Sequence, residues 1–408
     1  MDRWLFAWRR LQGRLWFRAA LYALVGVGAA LLAVVGAPWV PDDVAERLGG
    51  ESVEEILTIL ASSLLAVATF SLGAMVTAYT AVSSAATPRA ASLVTSDEGT
   101  QKSLATFVGA FLYAIVGVTA INANYYGAEG RAIIFIVSLC VVALVAFRLL
   151  AWIDRLSSLA QVGHMVAVVE KKTCEALTDR RRRPFISGRE GALKQGALVA
   201  AGSTGYVHNV DPQRLQEVAE ALDCEVQVIA VPGAFVRRGE PLARISLETC
   251  EDDVRKQFVS AFALGPARSF DQDPRFGLIV LGEIATRALS PGVNDPGTAM
   301  QVIGVGVRLL DDWARTTPDQ PEDQICSRIL APGIEPDDLL SDVMDPIARH
   351  GATDPAVMIR LRKALWSLVE GAEIFEPAVS RMDKHLLARC RQAIAYKPDL
   401  NTIEKAVP

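Results

Sequence analysis

Histidine is scarce in this chain, four in 408 residues, and no two stand at metal-ligand spacing. The six cysteines (Cys140, Cys174, Cys224, Cys250, Cys326 and Cys390) include no CxxC pair, so a zinc site is not expected. The same scatter offers no disulfide framework, and reduced, mostly buried thiols are the expectation. A basic excess is also missing. Net charge is −5 and no basic face dominates, which argues against nucleic acid as a partner. G-x-S-x-G, HExxH and P-loop signatures are absent, as is any paired carboxylate set at a membrane surface. The chain is therefore expected to be neither an enzyme nor a carrier of a cofactor.

What is abundant is apolar sequence, unevenly spread. The hydrophobic fraction is 51 % with 21 % charged residues, and mean hydropathy is +0.27. Up to about Arg155 the apolar residues run long; beyond it the pattern is that of a soluble domain. A span needs roughly 20 mostly apolar residues. Four segments meet that length: Arg18–Pro38, Val53–Ser83, Leu104–Ile121 and Ala132–Trp152. The first exceeds a signal-peptide core of roughly 7–15 residues and reads as a retained helix.

Orientation follows from the basic residues. Arg3, Arg9, Arg10, Arg14 and Arg18 precede the first span, whereas the first loop carries Asp42, Asp43, Glu46, Glu51, Glu54 and Glu55. Arg148, Arg155, Lys171, Lys172 and Arg180 to Arg183 follow the fourth span. Both termini are thus expected in the cytoplasm, at a bacterial inner membrane. Aromatic anchors agree: Trp4, Trp8, Trp16, Phe17 and Trp152 on the inner side, Trp39, Tyr125 and Tyr126 on the outer. An unbroken helix from Trp152 would carry the arginine run roughly 40 Å from the interface, making it a solvated face or a contact to a neighbouring subunit.

The second span differs from the others. Between Ser52 and Pro88 there is room for a helix about 50 Å long. Thr58, Ser62, Ala66, Thr69, Gly73, Thr77, Thr80 and Ser84 recur at steps of three and four, on one helical face. Ile59, Leu60, Leu64, Phe70, Leu72 and Met75 are assigned to the other side. Two readings stay open. Small and hydroxylated residues let helices pack closely, and a stripe of hydroxyls also tolerates water in a pore. No Asp, Glu, Lys, Arg or His lies at mid-membrane depth in any span, which disfavours a coupled transporter more than a passive pore.

In the second half, Leu198-Val199, Gly205–Val207, Val226–Ile229 and Leu242–Ile245 read as strands, with a helix over Pro212–Leu222 capped by Asp211. Asp273-Pro274 and Asp295-Pro296 each start a further helix. Asp271, Asp273, Asn294 and Asp295 are the candidate ligand- or ion-regulatory set, and helix capping is the competing explanation for each. Asp337–His350, Asp354–Ala372 and Glu376–Tyr396 show helical periodicity after a polar linker, and the tail past Lys397 is expected to be loose.

Two resemblances are visible. Val231-Pro-Gly-Ala-Phe-Val-Arg-Arg-Gly-Glu-Pro-Leu-Ala-Arg-Ile245 resembles the half-hairpin of biotinyl/lipoyl-like barrel-sandwich domains, without a carrier lysine. That implies the fold and not the chemistry. Thr87-Pro88-Arg89, the Phe107…Gly109-Ala-Phe111…Tyr113 span, and the stretches Ser269–Gly277 and Arg287–Ala299 resemble a bacterial family of predicted membrane proteins known only as a domain of unknown function. This implies four spans plus a cytoplasmic domain and assigns no activity. Thr87 stands where that pattern has serine.

The expected fold is an α-helical membrane domain of four transmembrane helices plus an α+β cytoplasmic domain. Its parts are the membrane domain (1–155), a connecting helix and basic linker (156–187), a small β-barrel-like sandwich (188–250), a helical motif region (251–313) and a C-terminal helical region (314–408). The expected function is a homo-oligomeric ion channel or pore in the lipid bilayer, passing inorganic ions, with Thr58, Ser62, Thr69, Thr77, Thr80 and Ser84 lining it and the cytoplasmic domains forming a regulatory ring that controls access. The alternative is a non-conducting scaffold or envelope-assembly protein whose cytoplasmic domain docks a partner.

Overall fold

The structure, a computed structural model, describes residues 15–36, 39, 41, 45, 52–95, 98–159, 161–317 and 325–407. The basic N-terminal stretch and most of the acidic first loop lie outside the described residues. The chain divides into two compact units, one made of residues 1–84 and 88–165, the other of 85–87 and 166–408.

The first unit is helical: α1 (Leu15–Gly36), α2 (Ser52–Ala85), α3 (Pro88–Thr95), α4 (Glu98–Asn122) and α5 (Ala128–Leu159). Three stretches among the described residues are long and apolar enough to cross a membrane: Ser52–Ala81, Gly99–Asn122 and Ala128–Leu156. The continuous apolar segment of α1, Ala20–Ala29, is shorter, so three of the four expected spans meet the length criterion. Helix α4 is central. Its apolar window is 56 % buried, against 11 % for α2 and for α5. Outward-facing Leu24, Phe70, Phe147 and Leu150 are each two-thirds exposed or more. So much apolar surface suits hydrocarbon and not water.

Helices α1 and α4 meet backbone to backbone. A Cβ on Gly26 would lie 2.7 Å from the Gly109 carbonyl oxygen, and one on Gly109 would lie 2.9 Å from the Tyr22 carbonyl. Glycine is what permits that approach. On the other side of α4, the Tyr113 hydroxyl lies 3.0 Å from Ser138 Oγ and donates to the Ile134 carbonyl at 3.2 Å, joining α4 to α5. Trp152 is buried rather than presented to a headgroup layer, unlike an anchoring ring. Pro88 does end α2, and it opens α3 at the first helical position.

The second unit begins with most of α6 (Val162–Arg182), which is a separate helix from α5. Eight short strands follow among the described residues: β1 (Arg189–Glu190), β2 (Ala197–Ala200), β3 (Gly205–Val210), β4 (Val226–Val228), β5 (Phe235–Val236), β6 (Pro241–Ile245), β7 (Phe262–Gly265) and β8 (Ile329–Ala331). They form a five-stranded sheet in the order β1-β8-β4-β6-β2 and a three-stranded one in the order β5-β3-β7. Val199, Val226, Val228 and Ile245 from the first sheet and Val207, Val210, Val236 and Phe262 from the second enter one core, with Leu215 and Val218 of α7 (Pro212–Ala221) and with Phe258 of α8 (Asp252–Val259). The resembled half-hairpin switches sheets at its second turn, because β5 pairs with β3 while β6 pairs with β2 and β4. Strands β7 and β8 lie outside the expected 188–250 limits, so both sheets draw on later sequence.

The remaining helices are α9 (Pro274–Ala288), α10 (Pro296–Arg315), α11 (Pro336–His350), α12 (Pro355–Gly371), α13 (Glu376–Ala393) and α14 (Lys397–Glu404). Asp-Pro opens four helices in the unit: Asp211, Asp273, Asp295 and Asp354 each accept amide protons of the first turn, with proline at the next position. The tail is not loose. Ile403 is fully buried, and Arg362, itself paired with Asp383 through two hydrogen bonds of 2.7 and 2.9 Å, donates to the Glu404 carbonyl at 3.0 Å. The docking energy comes from a residue 42 positions earlier, which tail composition does not reveal.

Candidate functional site

In the first unit the candidate face is on α2. Thr58, Ser62, Ala66, Thr69, Gly73, Thr77, Thr80 and Ser84 are all exposed. At 3.6 residues per turn they occupy about 100° of arc. Val53, Leu57, Leu60, Leu64, Ser71 and Ala78 are buried and occupy the arc roughly opposite. Of the residues assigned to that opposite side, Leu60 and Leu64 are packed, but Ile59, Phe70 and Leu72 are exposed flanks of the stripe. The helix therefore packs within its own chain by the branched aliphatic face and leaves the small, hydroxylated face open.

Five of the six hydroxyl protons of the stripe are spent locally. Ser62 donates to Ile59, Thr69 to Leu65 and Ala66, Thr77 to Gly73, Thr80 to Thr77 and Ser84 to Ala81, all at 2.8–3.1 Å to main-chain carbonyls of the preceding turn. Such bonding makes a hydroxyl tolerable in a nonpolar setting. It also leaves the oxygen lone pairs pointing outward, as acceptors.

In the second unit the four candidate residues divide into two places. Asp273 is 2 % exposed and caps α9, accepting from the amides of Arg275 and Phe276 at 3.2 and 3.1 Å. Arg268 closes on the same carboxylate through Nε at 2.6 Å and Nη2 at 2.9 Å, and the guanidinium also lies over the Phe276 ring. Gly233 touches this pair from a tight turn, where Ala234 N–H donates to Val231 C=O at 3.0 Å. Its φ is +91°, and a Cβ there would collide with the Asp273 carboxylate. Asp271 is exposed two residues away.

Asn294 and Asp295 sit at the other end of α9. Asp295 N–H donates to the Ala288 carbonyl at 2.8 Å, and the side chain caps α10 through the amide and hydroxyl of Thr298 at 3.1 and 2.6 Å. Those donations hold its carboxyl below the usual aspartate range. Asn294 is exposed with φ +51°, a left-handed conformation that asparagine tolerates. A 15-residue helix, about 22 Å, separates the two groups. The four members of the candidate set therefore do not meet around one ligand. Capping accounts for Asp273 and Asp295.

The start of α9 instead borders a pocket of about 120 Å³ lined by Arg180, Val231, Asp273, Arg275, Ile334 and Asp338 among others. Arg275 ties α9 to α11: Nε and Nη2 donate to Asp342 at 2.6 and 3.0 Å, and Nη1 donates to Asp338 at 2.5 Å. Burial pushes the Asp342 carboxyl up, against the pull of Arg275. Of the arginine run 180–183, Arg180 and Arg181 are engaged within the unit, while Arg182 and Arg183 stay exposed. Arg180 donates to the Pro332 carbonyl at 3.0 Å, and Arg181 donates to Thr316 C=O at 3.0 Å with its guanidinium 4.5 Å from the Trp313 ring centre. Arg268, Arg275, Asp338 and Asp342 were not singled out by the sequence; only the i, i+4 spacing of the last two hints at a shared helix face. Among the described residues no group of three or more His, Cys, Asp or Glu is arranged to hold a metal ion.

The comparisons place the chain among uncharacterised proteins. A family profile described as "Predicted membrane protein (DUF2254)" matches residues 12–367. The uncharacterised proteins Mb1321c of Mycobacterium bovis and Rv1290c of Mycobacterium tuberculosis are each 32 % identical over 108 residues, 25 % of this chain and 21 % of theirs. The match thus spans about a fifth of the length of these curated relatives. No solved structure matches.

Proposed function

The chain belongs to the DUF2254 family of predicted membrane proteins, and from that footing we propose that it is a homo-oligomeric, pore-like protein of a bacterial inner membrane. The observation that carries this reading is the face α2 leaves open. In one chain the whole stripe from Thr58 to Ser84 is exposed while the aliphatic face is packed. In hydrocarbon, close helix association favours small and hydroxylated faces, so the natural place for this one is an axis shared by several copies. There Thr58, Ser62, Thr69, Thr77, Thr80 and Ser84 present oxygen lone pairs to water and small inorganic ions. On this reading the protein conducts and does not transform a substrate.

The finer layout is part of the same proposal. Helix α1, with 22 residues and a length of about 33 Å, is the fourth span. Its glycine-mediated seam with α4 supports a retained helix. Both termini and the second unit are cytoplasmic, and the two sheets sharing one core are a barrel-sandwich-like module. A non-conducting scaffold is the second reading. It is favoured by the hydroxyl protons being satisfied within α2, which makes the stripe compatible with lipid or with dry helix packing.

Ion flux in liposomes separates the two. Wild type is expected to pass ions and Thr69→Trp to pass far fewer, since an indole replaces a small side chain at the middle of the stripe. Equal flux in both, or none in either, removes the pore assignment.

A further inference from the structure

The pocket beside α9 contains a cation whose hydrogen-bonding capacity is largely unused. A guanidinium has five N–H donors. For Arg180 one bond is formed, to the Pro332 carbonyl, and its buried Nε has no partner. Among the described residues Arg180 forms no ion pair with a carboxylate; its neighbour Asp179 is engaged by Arg183. Burial holds its pKa down to about 10, against the weaker pull of the nearby Asp179. The other charges of the wall are matched: Asp273 by Arg268, and Asp338 by Arg275, which also holds Asp342 behind the wall.

Those six side chains sum to zero, so any surplus potential comes from the backbone. Pro274 and Arg275 begin α9 and Asp338 lies in the first turn of α11, so two helix starts border the cavity. Each helix start carries roughly half a positive charge. Asp273 caps α9, but Glu335 makes no side-chain hydrogen bond to the amides of α11. The volume admits a small polyatomic ion, since one water needs roughly 10–15 Å³ of such space. Val231 and Ile334 add an apolar wall that limits hydration of whatever enters.

We propose that this pocket is a binding site for a small oxyanion, a phosphate or carboxylate group, held by the guanidinium of Arg180. The planar fork of arginine matches two oxygens of such a group. The inference concerns the second unit alone and does not depend on conduction by the first.

The test uses the full chain in detergent at constant ionic strength, with thermal unfolding followed as chloride is replaced by inorganic phosphate or by acetate. Saturable stabilisation of the wild type is expected. Arg180→Gln should weaken the apparent affinity at least about tenfold, Arg180→Lys less, and Ile334→Trp should abolish binding by filling the cavity. If Arg180→Gln does not fold, Ile334→Trp decides. A parallel arm with short-chain phosphatidic acid against phosphatidylcholine identifies the source: a response to soluble phosphate assigns a free anion, and a response to phosphatidic acid alone assigns a headgroup. No saturable effect of phosphate, acetate or phosphatidic acid on the wild type overturns the proposal. So does an equal effect in wild type and Ile334→Trp.

Discussion

Asp273 is the joint at which the first turn of α9, the Val231–Ala234 turn and Arg268 meet, and its replacement by alanine has a calculable cost. Loss of the capping acceptor costs about 1 kcal/mol. Breaking a buried ion pair costs about 3–5 kcal/mol when the remaining charge is fully enclosed. Arg268 keeps 24 % of its side chain exposed and is partly rehydrated, so about 2 kcal/mol is the appropriate share. The sum is about 3 kcal/mol. For a unit of roughly 250 residues each kcal/mol lowers Tm by about 2–4 °C, giving a fall of about 6–12 °C. Thermal unfolding of the full chain in detergent measures the total. Hydrogen exchange at the amides of α9 locates it. Asp273→Asn, which keeps an acceptor and loses the charge, should fall between. In a double-mutant cycle with Arg268→Met, a coupling of about 2 kcal/mol is expected. Additive single losses, or a fall in Tm below about 2 °C for Asp273→Ala, would refute the assignment of this carboxylate as the joint.

Two further outcomes follow from other parts of the second unit. Arg362→Ala strips Asp383 and the last carbonyls of α14 of their donor in a place where the Arg362 side chain is 4 % exposed. It should cost about 3–5 kcal/mol and expose Arg391, which pairs with Glu404, and Lys405 to trypsin in the otherwise folded protein; unchanged proteolysis of the tail would count against the latch. Asp295, whose carboxyl lies below the usual 3.8 in the folded state, contributes stability that is present above the unfolded value and lost as pH falls through the folded one. The stability difference between wild type and Asp295→Ala should therefore be full at neutral pH and vanish at strongly acidic pH, as read from denaturant titrations across that range.

Much of this was readable in the sequence, for identifiable reasons. Three spans are legible because apolar run length is a local property. The four Asp-Pro helix starts are equally local: one residue supplies the cap and the next the fixed φ. Strands β2, β3, β4 and β6 alternate or run apolar over three or more positions. Strands β1 and β5 have two residues each, too few for a period to register, and β8, no longer than β4, lies between Arg328 and Pro332 without the flanking apolar residue that Ile229 gives β4. Their existence depends on partners distant in the chain. The pocket was invisible for the same reason. Arg180 is legible only as part of a basic run, and Arg268, Asp338 and Asp342 are unremarkable surface-type residues until α6, α11 and the start of α9 with the segment before it bring them together. The α2 stripe was legible as a periodic face, whereas its exposure became visible only once the packed face was known.

The position of β8 has a consequence for how the protein is made. It lies between β1 and β4, parallel to both, and arrives about 100 residues after β4 leaves the ribosome. At roughly 5–20 residues per second, nascent chains hold an incomplete sheet for about 5–20 s. During that interval β1 has no neighbour and one side of β4 is unpaired, a template for contact with other nascent chains. Truncations that stop at α10 would freeze the protein in this state, so expression of shortened forms should yield aggregates where chains extending past Ala331 can close the sheet.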